Sequence, residues 1–282
     1  MAVGTTFAFP LTVDQLEEIN EYLATLEPSD IISWGLVNLP ALYQSTAFGL
    51  TGLAGTDMAS KLTSSPPELI FIDTMHHFQE TLDLKDEVQQ KYGLKVHVYG
   101  AEGVTNSREF AAKYGRQLWS TDESLYDYVA KVEPAQRAYR ELGVESIITG
   151  RRASQGGART HLKPLEVDST GLHKLNPFFS WTFGQVQAYL DENKVPRNAL
   201  LSQGYKSVGD WHNTAKSGEG DAGERAGRWA GKEKTECGLH QDYFKLKRLA
   251  FKTQREAELR SRDESFDPQI EHATLQVVEV SA

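Results

Sequence analysis

Apolar runs of strand length alternate with helical stretches between residues 43 and 150, and this alternation constrains the fold more than any other feature. The strand candidates are residues 43–48, 69–73, 94–99 and 146–150, and the stretches 50–62, 78–92 and 107–142 can form helices. Such alternation predicts parallel strands joined by crossover helices, hence a doubly wound, mostly parallel α/β sheet. Ligands of these sheets bind outside the carboxyl ends of the strands.

Further helices are predicted outside this region. Residues 12–26 carry apolar side chains at helical spacing, with Thr12 and Gln15 placed as a capping box. Another helix is expected in WTFGQVQAYLDEN, before Pro196, and a charged helix is expected in DYFKLKRLAFKTQREAELRSRDE, residues 242–264. Residues 216–233 contain five glycines, which predict a mobile loop.

The bulk composition excludes several classes of protein. The chain has 282 residues, one cysteine and a formal net charge of −9. Nonspecific nucleic-acid binding depends on a basic surface, so the negative charge argues against it. No signal-peptide pattern opens the chain and no run of about 18 apolar residues occurs, so neither secretion nor a membrane span is expected. One cysteine forms no intramolecular disulfide, and we expect a reducing, cytoplasmic environment.

Two predicted strand ends carry residues suited to a nucleotide. STAFGLTG at 45–52 joins a strand to a helix, where unpaired amides and the helix dipole favour an anion, and Ser45, Thr46, Phe48 and Gly49 are the candidates. A structural Ser/Thr/Gly turn is the alternative interpretation. The loop lacks the lysine of a Walker motif.

The strand in FIDTMHHF ends at Asp73 and Thr74, which are candidates for contacts to a nucleoside. The adjacent His76 and His77 point in different directions in most backbones. We therefore expect them to cap and pack rather than to bind a metal.

The segment 146–165 concentrates positive charge, because it contains no Asp or Glu. Arg151, Arg152 and Arg159, with Lys163 nearby, stand among glycines at another strand end. Guanidinium groups match phosphate oxygens in pairs, so these arginines could clamp a phosphate. A solvated basic loop is the alternative.

The chain's one cysteine, Cys237, lies in ERAGRWAGKEKTECGLH at 224–240. Neighbouring cations, including Arg225 and Arg228, favour the thiolate, which is the nucleophilic form. A lone cysteine is more often an inert core residue. This one stands in a glycine-rich, charged stretch, which favours a reactive thiol, and His240 follows three residues later.

These residues resemble the phosphoadenylyl sulfate reductase family, most closely its fungal members, from about residue 41 to residue 240. The resemblance rests on ECGLH at 236–240, RAGRW at 225–229, STAFG, FIDT, KVEPAQRA at 131–138, TGRR, and GYKSVGD at 204–210. It implies an adenine nucleotide alpha-hydrolase-like sheet, a homodimer, and a mobile C-terminal segment whose cysteine closes on the substrate. The implied division is an N-terminal helical arm (1–40), a nucleotide-binding reductase domain (41–215) and a flexible segment with the catalytic cysteine (216–282).

The resemblance also implies roles for individual residues. The loop from Ser45 to Gly49 resembles the family's modified pyrophosphate loop, and Lys131, Arg225 and Arg228 resemble its phosphosulfate-binding cations. Cys237 corresponds to the nucleophile and His240 to the histidine of the signature. Assigning Arg151, Arg152 or Arg159 to the 3'-phosphate is an inference from charge alone.

The cysteine count narrows the chemistry that the resemblance implies. Relatives that reduce adenylyl sulfate without the 3'-phosphate generally bind a [4Fe–4S] cluster through additional cysteines. One cysteine per protomer cannot supply four thiolates, so neither a cluster nor a metal is expected, and 3'-phosphoadenylyl sulfate is the expected substrate. A single thiol forms an S-sulfonate on Cys237 and cannot release sulfite from it. The second thiol must come from thioredoxin or glutaredoxin.

Three other functions stay open at the level of sequence. One is an adenylyl sulfate reductase, and another is an ATP-splitting nucleotidyltransferase relative on the same fold, which a magnesium requirement would favour. The third is a nucleotide-binding regulatory protein that has lost its chemistry.

Overall fold

The computed structural model describes residues 8–217, 225, 227–228, 239 and 242–252. Its centre is a six-stranded sheet in the order β3-β2-β1-β4-β6-β5. The strands are β1 (Leu42–Ser45), β2 (Leu69–Asp73), β3 (Val96–Gly100), β4 (Ser146–Ile148), β5 (Leu165–Val167) and β6 (His173–Leu175). All pairs are parallel except β5 with β6, which is antiparallel. The predicted mostly parallel α/β sheet is confirmed.

Nine α-helices between residues 13 and 192 surround the sheet. They are α1 (Val13–Leu23), α2 (Pro28–Asn38), α3 (Leu50–Leu62), α4 (Gln79–Tyr92), α5 (Ser107–Tyr114), α6 (Leu118–Thr121), α7 (Glu123–Asp127), α8 (Glu133–Leu142) and α9 (Phe183–Glu192). The capping box of Thr12 and Gln15 begins α1 as predicted. None of the described helices has the length and apolar character needed to cross a bilayer.

The strand order determines where a ligand crevice opens at the edge of the sheet. From β1 the chain adds β2 and then β3 on one side, and it returns to add β4 on the other side of β1. Loops leaving the carboxyl ends of β1 and β4 therefore diverge to opposite faces, which opens a crevice between them. The STAFGLTG loop follows β1 and the TGRR segment follows β4.

The stretch 107–142, predicted to be helical, contains four separate α-helices, α5 to α8. Gly115, at φ 101, ends α5, and a π-helical turn (Tyr128–Val132) separates α7 from α8. Single π turns inside helices occur frequently at functional sites. The antiparallel β5–β6 pair and α2 were not predicted, because three-residue strands and a helix of low amphipathicity leave little periodic signal.

The first two helices share the main core with the sheet. Ile19, Leu23 and Ile31 are fully buried in the cluster that contains Phe71 of β2. Asn20 ties α1 to β5, because its side chain both donates to the carbonyl of Leu165 and accepts from its amide. The α1 segment is therefore fastened by burial and by paired hydrogen bonds to the edge strand.

The predicted charged helix is described in part, since residues 243–252 are helical. The remainder of that helix and most of the glycine-rich stretch lie outside the described residues.

Candidate functional site

A cavity of about 260 Å³ opens at the carboxyl ends of β1, β2 and β4. Five cationic side chains and one carboxylate, Asp210, line it among the described residues. The cations are Lys131, Arg151, Arg159, Arg225 and Arg228. A second cavity of about 130 Å³ shares Gly49, Gly150 and Arg225 with the first and extends past Arg152 and Phe183. The fold thus brings cations from three separate segments to one crevice.

The loop after β1 presents a helix N-terminus to both cavities. Gly49 is the N-cap of α3 and has no side chain that could accept a hydrogen bond from the first amides of the helix. These amides can therefore donate to an anion in the crevice. Thr46 shapes the turn, because its hydroxyl accepts the amide of Phe48 at 2.9 Å while Phe48 adopts φ 55. The Phe48 ring packs in the core against Phe71, so its backbone, rather than its ring, belongs to the turn that faces the site.

The loop after β4 approaches α3 very closely. A Cβ on Gly150 would lie 2.9 Å from the amide nitrogen of Gly52 in the first turn of α3. Only glycine permits this contact, which brings the TGRR segment alongside the helix N-terminus.

The two candidate residues at the end of β2, Asp73 and Thr74, have different surroundings. Thr74 lines the larger cavity, and its hydroxyl donates to Asp210 Oδ1 at 2.6 Å. The carboxylate of Asp73 accepts the amide of Met75 at 2.8 Å, within the turn that follows β2.

The basic segment after β4 divides between the two cavities. Arg151 and Arg159 line the larger cavity, and Arg152 lines the smaller one. Arg151 Nη1 contacts Glu166 Oε2 at 2.6 Å, while its buried Nε has no hydrogen-bond partner among the described residues. Lys163 is exposed, and its backbone carbonyl accepts a hydrogen bond from Asn176 Nδ2 at 2.8 Å.

Arg152 is held within the protein. Its side chain is buried, and its Nε donates to Thr51 Oγ1 at 3.0 Å, which ties it to the first turn of α3. Arg152 Nη1 donates to Ser154 Oγ at 2.8 Å. These contacts fix its guanidinium beside the helix N-terminus.

The cations of the RAGRW motif reach the same crevice. The Arg228 amide donates to the Arg225 carbonyl at 3.0 Å, which forms a tight turn. Arg228 Nη1 donates to the carbonyl of Val208 at 3.3 Å, and Arg228 forms a backbone bridge with Thr214.

Lys131 lies on the π-helical turn in a buried ionic network. Its Nζ lies 3.1 Å from Asp127 Oδ1 and 3.1 Å from Asp210 Oδ2. Burial opposes ionisation of Asp210, but the Lys131 ammonium, with smaller contributions that include His77, outweighs it and lowers the pKa of Asp210 far below its usual range. The carboxylate therefore stays ionised.

The two adjacent histidines pack beside this network. The His76 ring is surrounded by Phe110, Trp119 and Tyr126, and its Nδ1 donates to the Thr74 carbonyl at 2.6 Å. Burial is the main cause that lowers the pKa of His76 below its usual value, which keeps the ring neutral. Among the described residues, no group of three or more His, Cys, Asp or Glu side chains is arranged to hold a metal ion.

Cys237 and His240 lie outside the described residues. Leu239, between them in the ECGLH signature, is described and lines the larger cavity.

Sequence reasoning did not assign roles to several residues at the crevice. Ser207, Val208, Gly209 and Asp210 line the larger cavity. His77, which was expected only to cap and pack, lines it too. The signal was the GYKSVGD motif, which was recognised without a chemical role. Cationic side chains, a bare helix N-terminus and small residues together suit an extended anion with more than one phosphate-like group.

Comparisons with known proteins agree on the family. The model of the phosphoadenosine phosphosulfate reductase domain matches residues 41–216. The phosphoadenosine phosphosulfate reductase of Emericella nidulans is 54% identical over 233 residues, covering 81% of this chain and 76% of the relative. The enzyme of the same name from Saccharomyces cerevisiae is 52% identical over 239 residues, covering 82% of this chain and 91% of the relative.

A solved structure extends the likeness to three dimensions. The phosphate complex of phosphoadenylyl-sulfate reductase from Candida auris matches with a TM-score of 0.68 and 48% identity, over 75% of this chain and all (100%) of the other. With the crevice, the family match and these relatives in agreement, the chain belongs to the phosphoadenosine phosphosulfate reductase family.

Proposed function

We propose that this protein reduces 3'-phosphoadenylyl sulfate to sulfite and adenosine 3',5'-bisphosphate. The observation that carries the proposal is the convergence of Lys131, Arg225 and Arg228 with the helix N-terminus after β1 around one cavity. Leu239 of the cysteine signature lines that same cavity. The relatives at 52–54% identity carry the name of this reductase.

The first chemical step follows from the thiol. The Cys237 thiolate attacks the sulfonyl sulfur, a sulfur–sulfur bond forms, and the bond from sulfur to the phosphate oxygen breaks. Adenosine 3',5'-bisphosphate leaves with the electron pair, and Cys237 becomes S-sulfocysteine. The leaving oxygen belongs to a weakly basic anion, so cations that stabilise its charge matter more than a general acid. Lys131, Arg225 and Arg228 supply that charge.

The second step needs a thiol from outside the chain. A thiolate of thioredoxin or glutaredoxin attacks Cys237 sulfur, sulfite leaves, and a mixed disulfide forms. The partner's second cysteine then resolves that disulfide. The two electrons that reduce the sulfur therefore come from the partner dithiol.

Substrate choice rests on the 3'-phosphate in this proposal. Arg151 and Arg159 at the larger cavity and Arg152 at the smaller one are its candidate partners, since each carries a guanidinium at the crevice. Loss of charge-assisted hydrogen bonds worth a few kcal/mol predicts a preference of at least about a hundredfold over adenylyl sulfate. Sulfite release with the two nucleotides, measured side by side with thioredoxin, tests this. Equal turnover would favour an adenylyl sulfate reductase instead.

A stalled reaction tests the covalent step. Enzyme mixed with substrate but without thioredoxin is expected to accumulate a sulfonate on Cys237 and to release about one bisphosphate per protomer. Cys237→Ser is expected to bind nucleotide and release no product. If intact mass shows no sulfonate while turnover with thioredoxin is normal, Cys237 is not the covalent carrier. ATP consumption with magnesium would indicate a nucleotidyltransferase.

The remaining expectations belong to the same proposal. We expect a homodimer that works in the cytoplasm, without bound iron, acid-labile sulfide or other metal. The division into residues 1–40, 41–215 and 216–282 stays a prediction, as does the role of His240.

A further inference from the structure

The cavity proposed for an anionic substrate contains a carboxylate, and this needs an explanation. Asp210 lines the cavity and its side chain is 4% exposed. An ionised carboxylate repels an anionic ligand unless a cation neutralises it. Its closest cation is Lys131, whose Nζ lies 3.1 Å from Asp210 Oδ2.

Lys131 is held from several directions. Besides Asp210, its Nζ contacts Asp127 Oδ1 at 3.1 Å and lies over the ring of Tyr126, 4.9 Å from its centroid. The side chain is 7% exposed, whereas a surface lysine extends its head into water and samples many rotamers. The ammonium is thus fixed at the cavity wall.

Asp210 is itself fixed. Its Oδ1 accepts from Thr74 Oγ1 at 2.6 Å, and its Oδ2 accepts from the Tyr126 hydroxyl at 3.2 Å. Its backbone bridges His77, and the amide of Trp211 donates to the His76 carbonyl at 2.9 Å. The position of the carboxylate is therefore set by the end of β2 and by Tyr126 of α7.

Gly209, the residue before Asp210, contacts a second cation, Arg228. A Cβ on Gly209 would lie 2.3 to 2.5 Å from the guanidinium carbon and terminal nitrogens of Arg228. The guanidinium therefore lies directly on the Gly209 backbone, and Arg228 Nη1 donates to the Val208 carbonyl at 3.3 Å. Any side chain at Gly209 would displace it.

We propose that Gly209 and Asp210 are positioning residues for sulfonyl transfer. Asp210 holds the Lys131 ammonium at the cavity wall. Gly209, which has no side chain, leaves space for the Arg228 guanidinium to lie against its backbone. The inference rests on the proposed function. Cations held in place before the substrate arrives need no reorganisation as charge develops on the leaving oxygen, so placement matters beyond net charge.

Asp210→Asn tests the first half, because asparagine keeps the shape and still hydrogen-bonds Thr74. The expected result is a release of adenosine 3',5'-bisphosphate about ten- to hundredfold slower in a single turnover without thioredoxin, the size associated with a misplaced group. Calorimetric affinity for that bisphosphate should change less than about threefold, since preorganisation acts mainly in the transition state. Asp57→Asn is the matched control: Asp57 is also a buried aspartate paired with a lysine, but it lines neither cavity.

A double-mutant cycle separates positioning from general damage. If Asp210 acts through Lys131, adding Asp210→Asn to Lys131→Met should slow single-turnover release by less than about twofold further. Multiplying effects of the two substitutions would overturn the proposal. Asp57→Asn should leave the rate unchanged in either background.

Gly209→Ala tests the second half. Single-turnover release is expected to slow about tenfold, and this effect should vanish in an Arg228→Ala background. Gly184→Ala is the control, since a Cβ there meets nothing within 4 Å. An unchanged rate in Gly209→Ala would overturn this half.

A readout independent of activity distinguishes this inference from the proposed function. In protein carrying ¹³C at lysine Cε, the Lys131 signal, assigned by its loss in Lys131→Met, should report an ordered side chain that becomes mobile in Asp210→Asn. Unchanged order in Asp210→Asn would overturn the positioning role whatever the enzyme does. Failure of the wild type to make sulfite, with Lys131 ordered as expected, would overturn the proposed function alone.

Discussion

Two aspartate–lysine pairs with the same four-residue spacing occupy very different places in this molecule. Asp57 contacts Lys61 at 2.6 Å within α3, and Asp127 contacts Lys131 at 3.1 Å beside the cavity. The aspartates are equally buried, but the Lys61 side chain is 52% exposed and that of Lys131 is 7% exposed. Local spacing permits either pair, and only the surroundings decide what each pair does.

The Asp57 pair joins helices. Hydroxyls of Tyr92 on α4 and Tyr189 on α9 donate to the two carboxylate oxygens at 2.9 and 2.6 Å. Burial opposes ionisation of Asp57, yet hydrogen bonds from Lys61 and the two tyrosines outweigh it and lower its pKa. The carboxylate is satisfied while its lysine extends into solvent, so this pair serves stability.

In the second pair the Lys131 ammonium is buried, and it contacts a second carboxylate besides Asp127. Asp210 joins Asp127, and the ammonium lies at the wall of the larger cavity. A buried ionic group of this kind is weak evidence for stability, because desolvation offsets the attraction. Its position at the cavity is the basis of the role in binding and chemistry that we propose for Lys131.

The largest expected contrast is between the two lysines. Lys131→Met should lower sulfite formation with thioredoxin at least about a hundredfold, because it removes a preorganised charge at the leaving group. Lys61→Met should leave the rate within about twofold and change the free energy of unfolding by less than about 0.5 kcal/mol, as expected for an exposed partner. Similar losses of activity in both variants would break the comparison.

Asp57→Ala should show the opposite pattern. Leaving two partly buried tyrosine hydroxyls and a lysine without this acceptor is expected to cost about 2–4 kcal/mol of unfolding free energy. Urea titration measures this cost, and the initial rate per folded molecule should equal that of the wild type. A large fall in that rate would show that the α3–α9 junction is coupled to the site.

Tyr189→Phe tests how much one hydroxyl of the Asp57 pair contributes to stability. Removing one hydroxyl that donates to a carboxylate should cost about 1–2 kcal/mol in urea unfolding. In an Asp57→Ala background the same substitution should cost much less, because its acceptor is gone. Equal costs in both backgrounds would mean that the hydroxyl stabilises the fold by another contact.

The smallest expected effect is a pH dependence of the free energy of unfolding, caused by His76, which packs beside the Lys131 network. The pKa of His76 is lowered mainly by burial, from a usual value of 6.5. Below pH 6.5 the unfolded chain binds a proton that the folded chain does not, so stability is complete above that pH and falls as the pH drops toward the lowered folded pKa. Unfolding measured from pH 7 to 5 should show this slope in wild type.

His76→Asn should flatten that slope, since an asparagine can still donate to the Thr74 carbonyl and does not titrate. The lowered pKa of Asp57 acts in a more acidic range, below its usual value of 3.8, so Asp57→Asn should leave the slope between pH 7 and 5 unchanged. A slope that survives in His76→Asn would assign the pH dependence elsewhere.

Much of the fold was predictable because its signals are local. The residues of α3 and β2 were predicted at their observed bounds, 50–62 and 69–73, and the α1 capping box was recognised from two side chains three residues apart. The β5–β6 pair was not predicted, because strands of three residues carry no measurable period. The π turn at Lys131 was missed for a similar reason, since one altered turn barely changes a helical pattern.

The candidate site divides in the same way. The amino-acid sequence by itself determined the parallel sheet, the helix N-terminus after β1, the basic segment after β4 and the count of one thiol, because each depends on neighbouring residues or on composition. Tertiary structure alone decided which charges meet. Thr74 and Asp210 are 136 residues apart along the chain, yet their hydrogen bond is 2.6 Å, because two distant segments converge at one sheet edge. Burial at that edge keeps the carboxylate beside Lys131, and no local pattern of residues encodes that environment.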